Sequence, residues 1–391
     1  MDAPFFSIVI PTRNRPKLFR EALQSALLQN FDDFEVVVSN NSSDEDTPAI
    51  IDVFRDNPHL SIFRPDENLS MPDHWEFATR KARGLYVLVL TDRSVLKQHA
   101  LREIHAAICS SEQDVLVCSW RWSLFDDNLN LEFADYPKVR RWGVINLSSR
   151  DIIQNFAVGS AGYPYELPRG LNSCYRNDLA CEIRNKHGAL FQPLSPDFTS
   201  SFLLLEYAKC VLFLDTAFFI SQGLEVSNGG NASRTTSVLE AYLNTLRVSD
   251  CYAHVPIKIP LVESLIFEDY LAIQEKTAGS LYGISLNWTH YFVTCYRELL
   301  EKKATKMIHA DEYMTLIKEW ERALATFDSV IQQEVKKRIG KLNRECVKAF
   351  LRNSLLGSYL VQMKRRFEAR GQVKMTVLDH AGFGNLSHDV S

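Results

Sequence analysis

Over its first 120 residues the chain repeats one pattern: a short, almost wholly apolar run, a polar loop, and a stretch whose apolar residues recur every three or four positions. The runs "FFSIVI" (5–10), "FEVVVS" (34–39), "LSIFRP" (60–65), "LYVLVLT" (85–91) and "DVLVCSW" (114–120) are rich in β-branched and aromatic residues and predict strands. Between them, "PKLFREALQSALLQ" (16–29) sets Leu18, Ala22 and Ala26 beside Phe19, Leu23 and Leu27 on one helix face, with Pro16 in the first turn and Asn14 as the expected cap. Thr47-Pro48 opens a second helix, "MPDHWEFATRKARG" (71–84) reads as a third stopped by Gly84, and a fourth is expected over 97–110. Strands that are apolar along their whole length are buried on both faces, and the helices between them let neighbours run parallel. The predicted fold class is therefore α/β, a mostly parallel sheet with helices on both faces. Ligands of such sheets meet the carboxyl ends of the strands, which selects the polar loops 11–15, 39–46 and 91–95.

From about residue 236 the pattern becomes helical: "SVLEAYLNTLRV", "PLVESLIFEDYLAIQEK", "WTHYFVTCYRELLEKK" and one long amphipathic stretch over 313–356. We expect domains at 1–235 and 236–374, the second mainly helical, and a frayed, flexible tail at 375–391. Residues 331–371 hold 11 Lys/Arg against 3 Glu. Such a helix suits peripheral contact with anionic lipid, packing on the first domain, or a homo-oligomer contact.

The formal net charge of −4 over 391 residues offers nucleic acid no general attraction, so no nucleic-acid partner is expected. The eight cysteines are scattered without zinc-ligand spacing and read as free thiols. The opening "MDAPFFSIVIPTRNRP" lacks a basic leader region, and no apolar run reaches the length of a spanning helix. The expected location is cytoplasmic, at most peripheral on the inner face of a membrane.

In the first loop, Thr12, Arg13 and Arg15 stand beside a helix N-terminus, a combination of guanidinium groups, backbone N–H groups and dipole that suits a phosphate-bearing ligand; a solvated turn would look the same. No G-x-G-x-x-G follows the strand, which disfavours a dinucleotide fold. His74 and Trp75 read as structural, and of Trp120, Trp122, Tyr163 and Tyr165 most are expected in the core, though such rings also stack on sugars.

The segments "FSIVIPTRNRPKLFREALQSALLQNFDDFEVVVSNNSSDEDT" and "ENLSMPDHWEFATRKARGLYVLVLTD" resemble the family 2 glycosyltransferases over roughly residues 5–225. The resemblance implies a GT-A fold and an inverting, nucleotide-sugar-dependent transferase (hexosyltransferase-like). Its donor would be a nucleoside diphosphate sugar, UDP-linked by expectation, and its acceptor a glycan or glycolipid hydroxyl, in bacterial surface polysaccharide synthesis. By position, Pro11, Thr12, Arg13 and Arg15 would line the nucleotide pocket. Asn40, with Asn41 beside it, stands where the family usually has an aspartate; its amide keeps an acceptor for a uracil N–H.

The family's Asp-x-Asp at the next strand end binds Mg or Mn, whereas this chain has Thr91-Asp92-Arg93-Ser94. Hard cations want two or more anionic oxygens. The expectation is metal assistance at Asp92, with Ser94 adding a hydroxyl and the diphosphate the remaining charge. The alternative is that Arg93, with Arg13 or Arg15, neutralises the diphosphate directly; Asp92 as a mere cap of the next helix is a third reading. The acceptor's proton would go to Asp197, which precedes an apolar helix as the family's base does, with Pro196 where a Glu is commoner. In "SNGGNASR" (227–234), Asn228, Gly229, Gly230, Asn231 and Arg234 suit acceptor or diphosphate binding, or a plain interdomain turn. Two rival functions fit the same reading: a sugar-1-phosphate nucleotidyltransferase, and a non-catalytic nucleotide-sugar or glycan-binding component of an assembly complex.

Overall fold

A computed structural model describes residues 3–41, 46–126, 131–133, 143–159, 166–222, 235–305, 307–352 and 375–383. Ten strands form one sheet: β1 (Phe6–Thr12), β2 (Phe34–Asn40), β3 (Leu60–Phe63), β4 (Tyr86–Val89), β5 (Ser94–Leu96), β6 (Val117–Asp126), β7 (Leu131–Phe133), β8 (Val144–Ser148), β9 (Ser173–Arg176) and β10 (Cys210–Gln222). The order is β3-β2-β1-β4-β9-β6-β10-β5, with β7 on β6 and β8 on β10. The first four strands in that order are parallel, as is β6 with β10. The sheet is nevertheless mixed, because β9 runs antiparallel between β4 and β6, and β5, β7 and β8 also pair antiparallel. The four-residue β9, "SCYR", carries too short a pattern to read as a strand in sequence.

Alternation along the buried strands divides the core in two. Phe6, Ile8, Ile10, Val36, Val38, Tyr86 and Leu88 face one apolar cluster with α1 (Pro16–Leu27), α2 (Asp46–Val53) and α4 (Ala100–Cys109). Val9, Val37, Val87 and Val89 face another with α3 (Met71–Thr79), α5 (Ser149–Val158), α6 (Asn177–His187) and α7 (Pro196–Tyr207). The helices beyond residue 235 are α8 (Thr236–Leu243), α9 (Val262–Thr277), α10 (Trp288–Ala304), α11 (Ala310–Ala325) and α12 (Ser329–Arg352). The last four of these contribute Phe267, Tyr291, Trp320 and Val335 to that same second cluster.

Four local expectations are corrected. Asn14 does not cap α1: Arg15 holds that position, and Asn14 takes a left-handed φ of 54°, which asparagine tolerates. As far as residue 352 the 313–356 pattern is two helices, because the Asp328 carboxylate accepts the N–H groups of Val330 and Ile331 at 2.9 and 3.0 Å and starts a new helix in the same apolar phase. Residues 375–383, expected as frayed, form α13 (Val377–His380) under a Thr376 capping box, with Val377, Leu378 and Phe383 buried against Val95, Phe125 and Ile220. Residues beyond 383 lie outside those described, as does all of the basic stretch after Arg352.

The fourth correction concerns Gly84. Helix α3 ends at Thr79, before the glycine. Gly84 instead lets the chain pass against β1: its N–H donates to Ser7 Oγ at 2.8 Å, and that hydroxyl donates to Glu35 Oε1 at 2.6 Å. The Arg83 backbone and guanidinium close on the same carboxylate at 2.7–2.9 Å. This knot ties the entry of β4 to β1 and β2. A Cβ at Gly84 would lie 2.7 Å from Ser7 N and 2.8 Å from the Phe6 carbonyl carbon, both backbone atoms. Gly84→Ala is therefore expected to cost about 1–3 kcal/mol, the usual range for overpacking, read as a lowered urea midpoint; an unchanged midpoint would show that the strand entry gives way freely.

Candidate active site

The carboxyl edge of the sheet is set by backbone register. Thr12 pairs with Asn40, and β1 pairs with β4 from Phe6↔Tyr86 to Val9↔Val89. The same offset of 80 residues brings Thr12 Oγ1 to donate to Asp92 Oδ2 at 3.3 Å. Arg15, one turn on, donates from Nη1 to Asp92 Oδ1, also at 3.3 Å. Burial pushes the Asp92 carboxyl up, against the opposing charge of Arg15 and the Thr12 hydrogen bond. Asp92 is no helix cap: α4 begins at Ala100, behind His99.

Asn40 and Asn41 are both buried on this edge. The Asn41 side chain is engaged in both directions by the Leu69 backbone, donating to its carbonyl and accepting its N–H at 2.9 Å each, so it fastens the loop before α3. Ser39 Oγ lies 2.9 Å from His74 Nε2. Burial drives this histidine down to about 4, Arg13 adding to the fall and Ser39 opposing it, so the imidazole is neutral at ordinary pH. Pro11 is buried within β1, and Arg13 is exposed beyond it.

Arg93 donates from Nη1 to the Gln222 carbonyl at 3.0 Å, and the Gln222 N–H returns to the Arg93 carbonyl at 2.9 Å. The arginine is thereby fixed to the last residue of β10. Its pKa is lowered to about 10, first by burial and then by Arg15, while Asp92 opposes; Arg169 and Asp197 act on it as well, in opposite directions. Ser94, in β5, is spent within the fold, its Oγ lying 3.0 Å from both Thr91 Oγ1 and Ser221 Oγ.

Asp197 sits in the first turn of α7, behind Pro196 and the cap position Ser195. Burial raises its carboxyl, while Arg169, the neighbouring backbone N–H groups and Arg93 pull it down. Arg169 Nη1 is 4.0 Å from Asp197 Oδ2, and its guanidinium lies 4.5 Å from the Trp122 ring centroid and 5.2 Å from that of Phe198. Arg169 was not selected from sequence. It stands four residues before the start of β9, and because β9 is antiparallel, its entry lies on the carboxyl edge of β4 and β6. Thr12, Arg15, Asn40, Asp92, Arg93, Arg169 and Asp197 are thus gathered by the fold, whereas Asn228, Gly229, Gly230, Asn231, Arg234, Tyr163 and Tyr165 lie outside the described residues. Trp120 is a core residue.

The donor set was tested against a divalent cation. Among the described residues no group of three His, Cys, Asp or Glu side chains converges on a common point. Asp92 is a single carboxylate with both oxygens already hydrogen-bonded, the Ser94 hydroxyl is committed elsewhere, and the nearest charges are guanidinium groups. Hard cations prefer several anionic oxygens, so these residues fit one poorly.

Residues 7–162 match the model of Glycosyl transferase family 2. Over 115 residues the chain is 30% identical to poly(ribitol-phosphate) beta-N-acetylglucosaminyltransferase TarS of Staphylococcus aureus, a stretch that is 29% of this chain and 20% of that protein. It is 29% identical over 100 residues to the GalNAc(5)-diNAcBac-PP-undecaprenol beta-1,3-glucosyltransferase of Campylobacter jejuni, covering 25% of this chain and 32% of the relative. The matched stretch therefore spans only about a fifth to a third of these relatives' lengths. Among solved structures, S. aureus TarS 1–349 in complex with UDP-GlcNAc aligns over 88% of this chain and 84% of that one, with a TM-score of 0.51 and 18% identity, a likeness of fold. The strand edge that carries Thr12, Asn40 and Asp92 lies in a domain, residues 7–162, that belongs to glycosyltransferase family 2.

Proposed function

We propose that the chain transfers a monosaccharide from a nucleoside diphosphate sugar to a hydroxyl of a glycan or glycolipid, with inversion at the anomeric carbon, in the synthesis of a bacterial surface polysaccharide. The observation that carries this reading is a pair of acid–arginine contacts, Asp92 with Arg15 at 3.3 Å on the strand edge and Asp197 with Arg169 at 4.0 Å at the start of α7, with Arg93 under the charge of all four. A donor-site acid and a base candidate that share a cationic neighbour suit a sugar diphosphate held between them. The family match and the relatives' names, both those of glycan-forming transferases, support the same class of reaction.

In the proposed step the acceptor oxygen bonds to the anomeric carbon as the bond from that carbon to the diphosphate oxygen breaks, its electron pair leaving with the diphosphate. Asp197 takes the acceptor's proton. Arg15 and Arg93, with Arg13 at the rim, neutralise the departing charge as fixed cations, which arginine's planar fork suits. Asp92 holds Arg15 for that work. UDP is the first carrier to test, because the Asn40 amide offers a uracil N–H an acceptor. Among the described residues no helix is long and apolar enough to cross a membrane. A lipid-linked acceptor would be met from the membrane surface, and the basic stretch 331–371 is the segment we assign to that contact.

Three outcomes follow. UDP is expected to raise the melting temperature, since binding to the native state stabilises it, and to do so equally in EDTA and in Mn; a shift abolished by chelation would return the cation's role to a metal. Asp197→Asn should keep the UDP shift while lowering UDP release from a UDP-sugar by about 10²–10⁴-fold, the range of general-base catalysis, and unaltered turnover would remove Asp197 from the mechanism. The third concerns pH. A base must be ionised, so turnover falls as pH drops through the raised pKa of Asp197. Arg169 is the largest influence opposing that rise, and Arg169→Met should therefore move the acid limb of the turnover profile to higher pH; a limb that stays in place would mean another group governs it.

A further inference from the structure

We infer that Asp269, on α9 in the helical segment, is a positioning residue for Asp197, acting through the turn that delivers α7. This rests on the reading of Asp197 as the base. The α7 N-terminus has no side-chain cap of its own, as Ser195 makes no capping hydrogen bond. Its place is taken from another helix: Asp269 Oδ1 accepts the Leu194 N–H and Oδ2 accepts the Ser195 N–H, both at 2.7 Å. Two short bonds to one carboxylate fix the direction of the peptide as well as its distance.

The same turn is gripped at further polar atoms. Tyr242, on α8, donates its hydroxyl to the Leu194 carbonyl at 2.6 Å. Thr199 Oγ1 accepts the Gln192 N–H and donates to the Gln192 carbonyl, each at 3.0 Å. Lys276 Nζ reaches the Gln192 side chain at 2.9 Å. The Leu194 side chain is buried among Leu239, Leu246 and Leu265. Asp269 itself is 2% exposed, so a buried carboxylate is retained where an apolar side chain would pack, and its two oxygens serve residues two and three positions before Asp197. A base must stand within hydrogen-bond reach of the proton it removes, and a misplacement of about 1 Å caused far from the chemistry can lower rate by about a hundredfold. The helical segment thereby sets the aim of a group that the sheet domain alone leaves uncapped.

The test is a double-mutant cycle on the full chain, reading UDP release from a UDP-sugar and the UDP-induced shift in melting temperature. Asp269→Asn keeps an acceptor for one N–H and loses the other. It is expected to lower kcat by about tenfold to a hundredfold with KM for the donor and the UDP shift unchanged. Tyr242→Phe, which deletes only a hydroxyl, should move kcat the same way by a smaller factor and stands in should the aspartate variant not fold. In the Asp197→Asn background neither change should lower the residual rate further, since coupled residues are non-additive. Full turnover in Asp269→Asn and Tyr242→Phe, or the same fold-loss with and without the Asp197 carboxylate, would overturn the positioning role while leaving Asp197 as base. Full turnover in Asp197→Asn alone would instead remove the base, and the positioning role with it.

Discussion

The parallel register of β1 between β2 and β4 is the constraint on which the rest depends. Hydrogen bonding in a parallel ladder fixes which residues stand side by side at the strand ends, so Thr12 is set level with Asn40 and, across the other ladder, with Asp92. A slip of one residue would turn every side chain of β1 to the opposite face, exchanging Phe6, Ile8 and Ile10 for Ser7 and Val9 in the first cluster. The apolar pattern forbids that, and the Gly84–Ser7–Glu35–Arg83 knot holds the opposite edge in the same register. Placement of the site's first bank is therefore a consequence of core packing some distance away.

Electrostatics then separates the two carboxylates. Each is raised by burial, yet each has its own arginine opposing: Arg15 for Asp92, Arg169 for Asp197. Arg15 makes a direct hydrogen bond to Asp92, whereas Arg169 stays 4.0 Å from Asp197 and spreads its guanidinium over aromatic rings. The first arrangement engages the carboxylate in holding a cation. The second keeps the guanidinium at a distance while still favouring the charged form, the balance that the proposed base needs.

The first bank was legible in sequence because apolar runs and loop positions determine it: Thr12, Asn40 and Asp92 each end a readable strand in a parallel arrangement. Arg169 was hidden by the same rule. Looking only after strands assumes that every strand points one way, and β9 does not, so the loop before it reaches the same edge. Helix boundaries failed where a single side chain decided them, as when Asp328 divided a continuous apolar stripe. Asp269 gave no signal at all, since one of four acids inside "VESLIFEDYLAIQEK" reads as part of a solvated face until the turn it meets is known.

The strand edge and the start of α7 are held by different physics, and that difference bears on how the site can vary. The strand edge is placed by backbone hydrogen bonds that an apolar sequence of the right period can make, and the Arg93-Ser94 pair at its tip is tied in turn to Gln222 and Ser221. The α7 bank depends on particular side chains more than 45 residues further along the chain, whose loss would leave buried backbone groups unpaired, at about 1–3 kcal/mol each. Arg93 is built into the frame, because its hydrogen bonds to Gln222 tie the loop before β5 to the end of β10, and Gln222 in turn reaches Glu21 on α1. A cation carried on the frame in this way keeps its position when the donor is absent, whereas a mobile metal would have to be gathered with each donor. With Asp92 already engaged by Thr12 and Arg15, a fixed charge would leave less to be ordered at the moment of binding than a metal would.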